Sequence, residues 1–282
     1  MTILVTMGIT WVLLAAVLFG VGSVAQAAVL AAPGVTWMAM LRHPAFVAGT
    51  LAEALGALAH VMALQTVSMA VAQCAVSGSL AVTALAARWW FGARLGLRGI
   101  AAVGALSSSL VVLASVAGQS GTATDTAVLE VGLFVTAAVV GLAGLAGAVA
   151  GRAWSVAACS GLGFAACSTA VKLVDLTHPL SALTSGPALA AAVTGVLGCL
   201  WWTVALRLGT VTTVTAVVVV SEVVPPSLLG PLLGDEVSSA FYLVAPLVLA
   251  VAALACTVLA RSGAAQAPAP VVGKSVPEPV PA

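Results

Sequence analysis

The chain has 282 residues, of which 62% are hydrophobic and only 6% charged, and its net charge is +1. A soluble domain of this length carries about a quarter charged residues. Water is therefore excluded as the solvent for most of this surface, and the balance of charge gives no basis for a nucleic-acid partner. The composition is that of a polytopic membrane protein in contact with lipid.

Apolar runs divided by Gly, Pro or charged breaks predict an all-α bundle of about nine transmembrane helices. In chain order they cover residues 9–31, 44–64, 66–90, 99–117, 128–150, 154–176, 185–206, 210–233 and 239–260. Ala25-Gln26-Ala27 could pass for a signal-peptidase site, but no Lys or Arg precedes it. A signal peptide needs a basic leading region, so the first run is read as a retained helix. The connections are short, and the function must lie within the helices. After Arg261 the chain turns to Ala, Pro and Val, which predicts a disordered tail over 262–282.

The basic residues set the expected orientation. With the N-terminus outside, Arg42, Arg88, Arg94, Arg98, Arg152, Arg207, Arg261 and Lys274 fall on one face, and Lys172 on the other. That is the positive-inside pattern, which predicts a multi-pass cell-membrane protein with a cytoplasmic C-terminus. Trp89, Trp90, Trp154, Trp201 and Trp202 fall near the same face and are expected to anchor at the interface. Gly141, Gly144, Gly147 and Gly151 form a small-residue stripe suited to close helix packing. The five cysteines lie in apolar runs with neither CxxC nor metal-ligand spacing, so they are expected to be small buried hydrophobes.

The chain also matches itself at about half its length. Ala63-Leu64 falls on Ala205-Leu206, Gly20-Val21-Gly22 on Gly161-Leu162-Gly163, and Ser77-Gly78-Ser79-Leu80 on Val219-Val220-Ser221-Glu222. This divides the chain into a first repeat (1–127), a linking helix (128–152) and a second repeat (153–261), each repeat with four helices. An odd number of crossings between the units inverts the second, the architecture of secondary transporters. Matching interruptions are expected in the two repeats: one at Ser77-Gly78-Ser79, the other at Ser221-Glu222 before Pro225-Pro226. Paired breaks point to a midplane site, because prolines free carbonyls that lipid cannot satisfy.

These pieces resemble the drug/metabolite transporter superfamily over about residues 9–260, in its EamA-like and NIPA-like nine-helix branch. The resemblance rests on Ala63-Leu64, Gln73 and Phe91-Gly92-Ala93-Arg94 in the first half. In the second half it rests on Ala205-Leu206, Pro225-Pro226 and Gly234-Asp235-Glu236. It implies a bacterial inner-membrane protein that moves a small solute by alternating access. The NIPA-like branch implies magnesium, and here the sequence departs. The branch's Gly-Glu and Asn-Phe align with Gly56-Ala57 and His60-Val61, with the nearest acid at Glu53, and its Thr-Pro aligns with Gln73-Cys74.

The candidate substrate- or ion-binding residues are Glu222, Glu53, Gln73, Ser77, Ser79, Ser221 and His60, with Gly78, Pro225 and Pro226 as the structural break. A carboxylate at the middle of a span costs about 2.5–3.5 kcal/mol by insertion scales. Glu222 is thus expected to face protein or a cavity, as cation contact, proton carrier or structural hydrogen-bonding group. Glu53 and His60 are seven residues apart, two helical turns, and share a face. Lys172 and Asp175 are spaced to pair. Gln26, Gln73, Ser77, Ser79 and Ser221 supply uncharged hydrogen bonds, as ligand contacts or as interhelical glue. The sequence has no HExxH, GxSxG or P-loop, so no enzyme, cofactor or resident metal is expected. Three functions remain open: a small-solute transporter, with or without proton coupling; a divalent-cation permease; and a non-transporting membrane partner. Both repeats lie in one chain, so none of these requires an oligomer.

Overall fold

An apolar chain in lipid must satisfy its backbone hydrogen bonds within each segment, and the helix does so. A computed structural model describes residues 2–30, 36–92, 96–116, 126–174, 184–229 and 238–264, all built on helices and turns, with no strand among them. The helices are α1 (Thr2–Leu30), α2 (Trp37–Arg42), α3 (Pro44–Leu64), α4 (Met69–Val76), α5 (Gly78–Phe91), α6 (Leu97–Val116), α7 (Thr126–Val149), α8 (Ala153–Lys172), α9 (Gly186–Leu208), α10 (Val211–Leu229) and α11 (Ser239–Ala264). Among the described residues, eight segments are long and apolar enough to cross a membrane, and α6 adds a shorter apolar stretch over 97–113. The molecule is a polytopic helical membrane bundle. Its outer faces carry large apolar side chains, such as Leu51, Leu55 and Leu58 of α3, which suit lipid and not water.

Local chemistry sets several helix ends. His43 caps α3 through its Nδ1, which accepts from the Ala45 amide at 3.3 Å, and Pro44 occupies the first turn. Ser185 caps α9, its Oγ accepting from the Ala188 amide, again with a proline in the first turn. Gly92 after α5 (φ 63°) and Gly151 after α7 (φ 64°) take the left-handed conformation that ends helices.

The packing follows a matched pattern. α1 packs on α3 and α5, and α8 packs on α9 and α10. α6 meets α11 directly, and α4 and α5 meet α10. Glycines mark the crossings of α1 and α8 with their neighbours. A Cβ on Gly20 would stand 2.9 Å from the Ser79 carbonyl oxygen, and one on Gly161 would stand 2.7 Å from the Ser221 Cβ. Gly22 faces Gly49 and Glu53 of α3, while Gly163 faces Thr194 and Gly198 of α9. One buried cluster gathers Leu30, Met40, Phe46, Ala87, Val156, Leu206 and Val211 at one end of the bundle. Another joins Val12, Leu64, Val67 and Met69 with Leu129, Val171 and Leu173 at the other.

Some expectations change. The first-half interruption is present: Ser77 is a turn residue between α4 and α5. The second is not a break, because α10 runs as helix through Pro225 and Pro226. Proline's fixed φ is helical, and what it removes is a donor. Packing of α10 on α8, α4 and α5 holds the helix together. Trp201 and Trp202 are not interface anchors. They are 6% and 5% exposed, whereas Trp89 is 81% and Trp154 63% exposed. The reason is the glycine stripe of α7, since Gly144 lies against the Trp201 ring. Sequence reading passed over α2, whose six residues are too few to carry a periodic pattern. The Asp175 half of the expected Lys172 pair, the turn residues Arg94 and Gly234-Asp235-Glu236, and the tail from residue 265 lie outside the described residues.

Candidate functional site

The α1–α3 crossing brings the first acid into contact. Gly22 and Gly49 let the backbones approach so closely that a Cβ on Gly22 would stand 2.8 Å from the Gly49 carbonyl and 2.8 Å from Glu53 Cγ. With the helices this near, Gln26 reaches across. Its Nε2 donates to Glu53 Oε2 at 2.7 Å and to Thr50 Oγ1 at 3.3 Å. Trp202 Nε1 of α9 donates to Gln26 Oε1 at 2.8 Å. An indole N–H is a donor only, so it fixes which end of the amide faces Glu53. Ser23 lies beside the Glu53 carboxyl, its hydroxyl donating to the Phe19 carbonyl at 2.6 Å. Gln26 and Ser23 are buried, and Glu53, midway along α3, is half-buried.

Glu222 has a different environment. It lies midway along α10 where that helix crosses α8 at Gly161. It is half-buried, and no side chain among the described residues donates to its carboxyl. Cys167 of α8 lies within electrostatic range of Glu222 and of Cys199 on α9, and Cys199 lies within range of Glu53. The acids sit on different helices, α3 and α10, each within range of one of these thiols. Cys167 and Cys199 are half-buried and exposed, so they are not the inert core residues expected from sequence; Cys159 is.

The other candidates separate from this region. His60 and Gln73 are buried, and their polar atoms have no hydrogen-bond partner among the described residues. They flank the turn between α3 and α4, four residues before Leu64 and four after Met69. Both are therefore about 6 Å from the turn at 1.5 Å per residue. Each unsatisfied buried group costs about 1–3 kcal/mol. Ser77 and Ser79 are buried at the start of α5. Ser221 is half-buried against Gly161 beside Glu222. Gly78 has open space to 3.8 Å, where it meets Ala16 of α1. Ser227 Oγ donates to the Val223 carbonyl at 2.7 Å next to the two prolines.

Gln26, Trp202, Cys167 and Cys199 are the side chains that sequence reading undervalued. Gln26 was visible as a polar residue in an apolar run, but its partners are 27 and 176 positions away. Among the described residues no group of three His, Cys, Asp or Glu side chains could hold a metal ion. Two apolar depressions, about 540 Å³ between α7 and α9 and about 300 Å³ between α6 and α11, are lined by neither acid. No protein-family model, curated protein or solved structure matches the chain.

Proposed function

We propose that this chain is a secondary transporter that moves a small solute across the membrane by alternating access, with Glu53 and Glu222 in the path and a proton as the coupling ion. One observation carries the reading: two half-buried carboxyls lie midway along apolar helices, each beside a glycine crossing, Glu53 at Gly22 and Glu222 at Gly161. Lipid penalises each of them, so each needs a reason to be there. Binding a cationic group or a proton supplies that reason. The matched crossings at Gly20–Ser79 and Gly161–Ser221 support two inverted repeats, as the resemblance to the drug/metabolite transporter superfamily implies. In this reading Arg42, Arg88, Arg152 and Arg207 face the cytoplasm. A divalent-cation permease needs a cage of oxygen ligands, and two acids separated by a cysteine pair supply only a thin one.

The test is flux in proteoliposomes, guided by a thermal-shift panel of amino acids, nucleobases, polyamines, cationic drugs and divalent ions. A solute that stabilises the wild type, fails to stabilise Glu222→Gln, and accumulates with an imposed pH gradient supports the proposal. Flux of Mg²⁺ independent of the pH gradient moves the assignment to the divalent-cation class. Absence of both stabilisation and flux across the panel overturns transport.

A further inference from the structure

The hydrogen-bond chain Trp202–Gln26–Glu53 joins residues of α9, α1 and α3, and so ties helices from the two halves of the chain. We propose that it is a proton-operated latch: protonation of Glu53 turns the Gln26 amide and releases Trp202. The proposal rests on the transport reading for its purpose, but not for its chemistry.

The geometry supplies the switch. Trp202 Nε1–H can only donate, so Gln26 must present Oε1 to it, and this leaves Nε2–H for Glu53. That arrangement suits an ionised Glu53, whose oxygens only accept and which makes the stronger, charge-assisted bond. A proton taken from water turns one carboxyl oxygen into a donor that itself needs an acceptor. The Ser23 and Thr50 hydroxyls, which donate to the Phe19 and Phe46 carbonyls at 2.6 Å and 2.9 Å, keep lone pairs free, but a hydroxyl oxygen accepts less strongly than an amide oxygen. The amide oxygen of Gln26 is the strongest acceptor in reach. Turning it toward Glu53 swings Nε2–H against the indole N–H, donor facing donor, and the tie to α9 is lost. The ionisable groups around Glu53 are Cys199 from α9, then Cys167 of α8 and Glu222 of α10 beyond it, with His60 two turns along α3 itself. From α1 it is faced by the uncharged Gln26 and Ser23.

The full-length chain in lipid nanodiscs, with ¹⁵N-labelled indoles and ¹³C-labelled glutamate carboxyls, reports both ends of the latch. Trp202→Phe and Glu53→Gln identify the two signals. The expected result is a hydrogen-bonded Trp202 N–H that moves upfield as the Glu53 carboxyl protonates. In Glu53→Gln the Trp202 signal should stop responding to pH. In Gln26→Met, which keeps the side-chain length, it should lie upfield at every pH. A Trp202 signal that stays in place while Glu53 titrates overturns the latch. So does a signal unchanged in Gln26→Met, or a Glu53 carboxyl that does not titrate from about pH 5 to about pH 10. Solute flux measured on the same samples separates the two ideas. A moving indole without flux leaves the latch standing and removes transport, and flux with a fixed indole does the reverse.

Discussion

Glu53 and Glu222 are both mid-helix acids in an apolar bundle, but they are held differently. Glu53 accepts a 2.7 Å bond from Gln26, which is itself fixed by Trp202. Glu222 lies against the α8 crossing with no donor among the described residues. In the repeat expected from the sequence, the position in α5 that falls on Glu222 is Leu80, a fully buried core residue. A carboxyl with committed partners suits positioning and switching. A carboxyl without them suits a ligand that comes and goes.

This comparison predicts a graded set of effects. The largest is on flux: Glu222→Gln should lower solute transport roughly tenfold or more, equivalent to about 1.4 kcal/mol. Its melting temperature should stay near wild type, because no protein hydrogen bond is lost. A large fall in stability would show that Glu222 is structural. Next, Gln26→Leu should destabilise the protein by about 1–3 kcal/mol, since it strands the Trp202 N–H and the Glu53 carboxyl together. Denaturant unfolding in detergent measures this, and an unchanged midpoint would remove the contrast between the acids. Gly161→Val should cost about 1–3 kcal/mol by overpacking against the Val218 carbonyl and Ser221, and Gly22→Val a similar amount against Gly49 and Glu53. Thermal melts of the two variants side by side test whether the crossings are equivalent. The smallest effect belongs to Ser221→Ala, within about 0.5 kcal/mol in stability. A rise in the half-saturation concentration for flux in that variant would put its hydroxyl on the solute.

Much of the fold was legible in the sequence because lipid makes simple demands. A run of about twenty apolar residues has few alternatives to a spanning helix, and the expected 44–64 segment matches α3 as Pro44–Leu64. The fate of Pro225-Pro226 was not legible. Local propensity says break, but contacts with α8, α4 and α5 hold α10 helical. The site was half visible. Glu53 and Glu222 stand out against an apolar background, whereas the bonds that distinguish them come from α1 and α9. A pairing such as Gln26 with Trp202 leaves no trace in periodicity, because its register is set by glycine crossings between other helices. Trp201 and Trp202 looked like interface residues for the same reason, as the groove that buries Trp201 is made by Gly144 of a different helix.

The packing of α7 has a consequence for how the chain is built. Its inner stripe, Gly141, Gly144 and Gly147, faces Leu197, Trp201, Ser155 and Val156, and its main neighbours are α8 and α9. Those partners are synthesised later. During translation α7 must therefore enter the bilayer before its groove is filled. Over 127–149 it is among the most apolar spans of the chain, with one acid, Glu130, near its start, so lipid alone can hold it there. Its glycine stripe is then already in place for α8 and α9 to pack against when they follow.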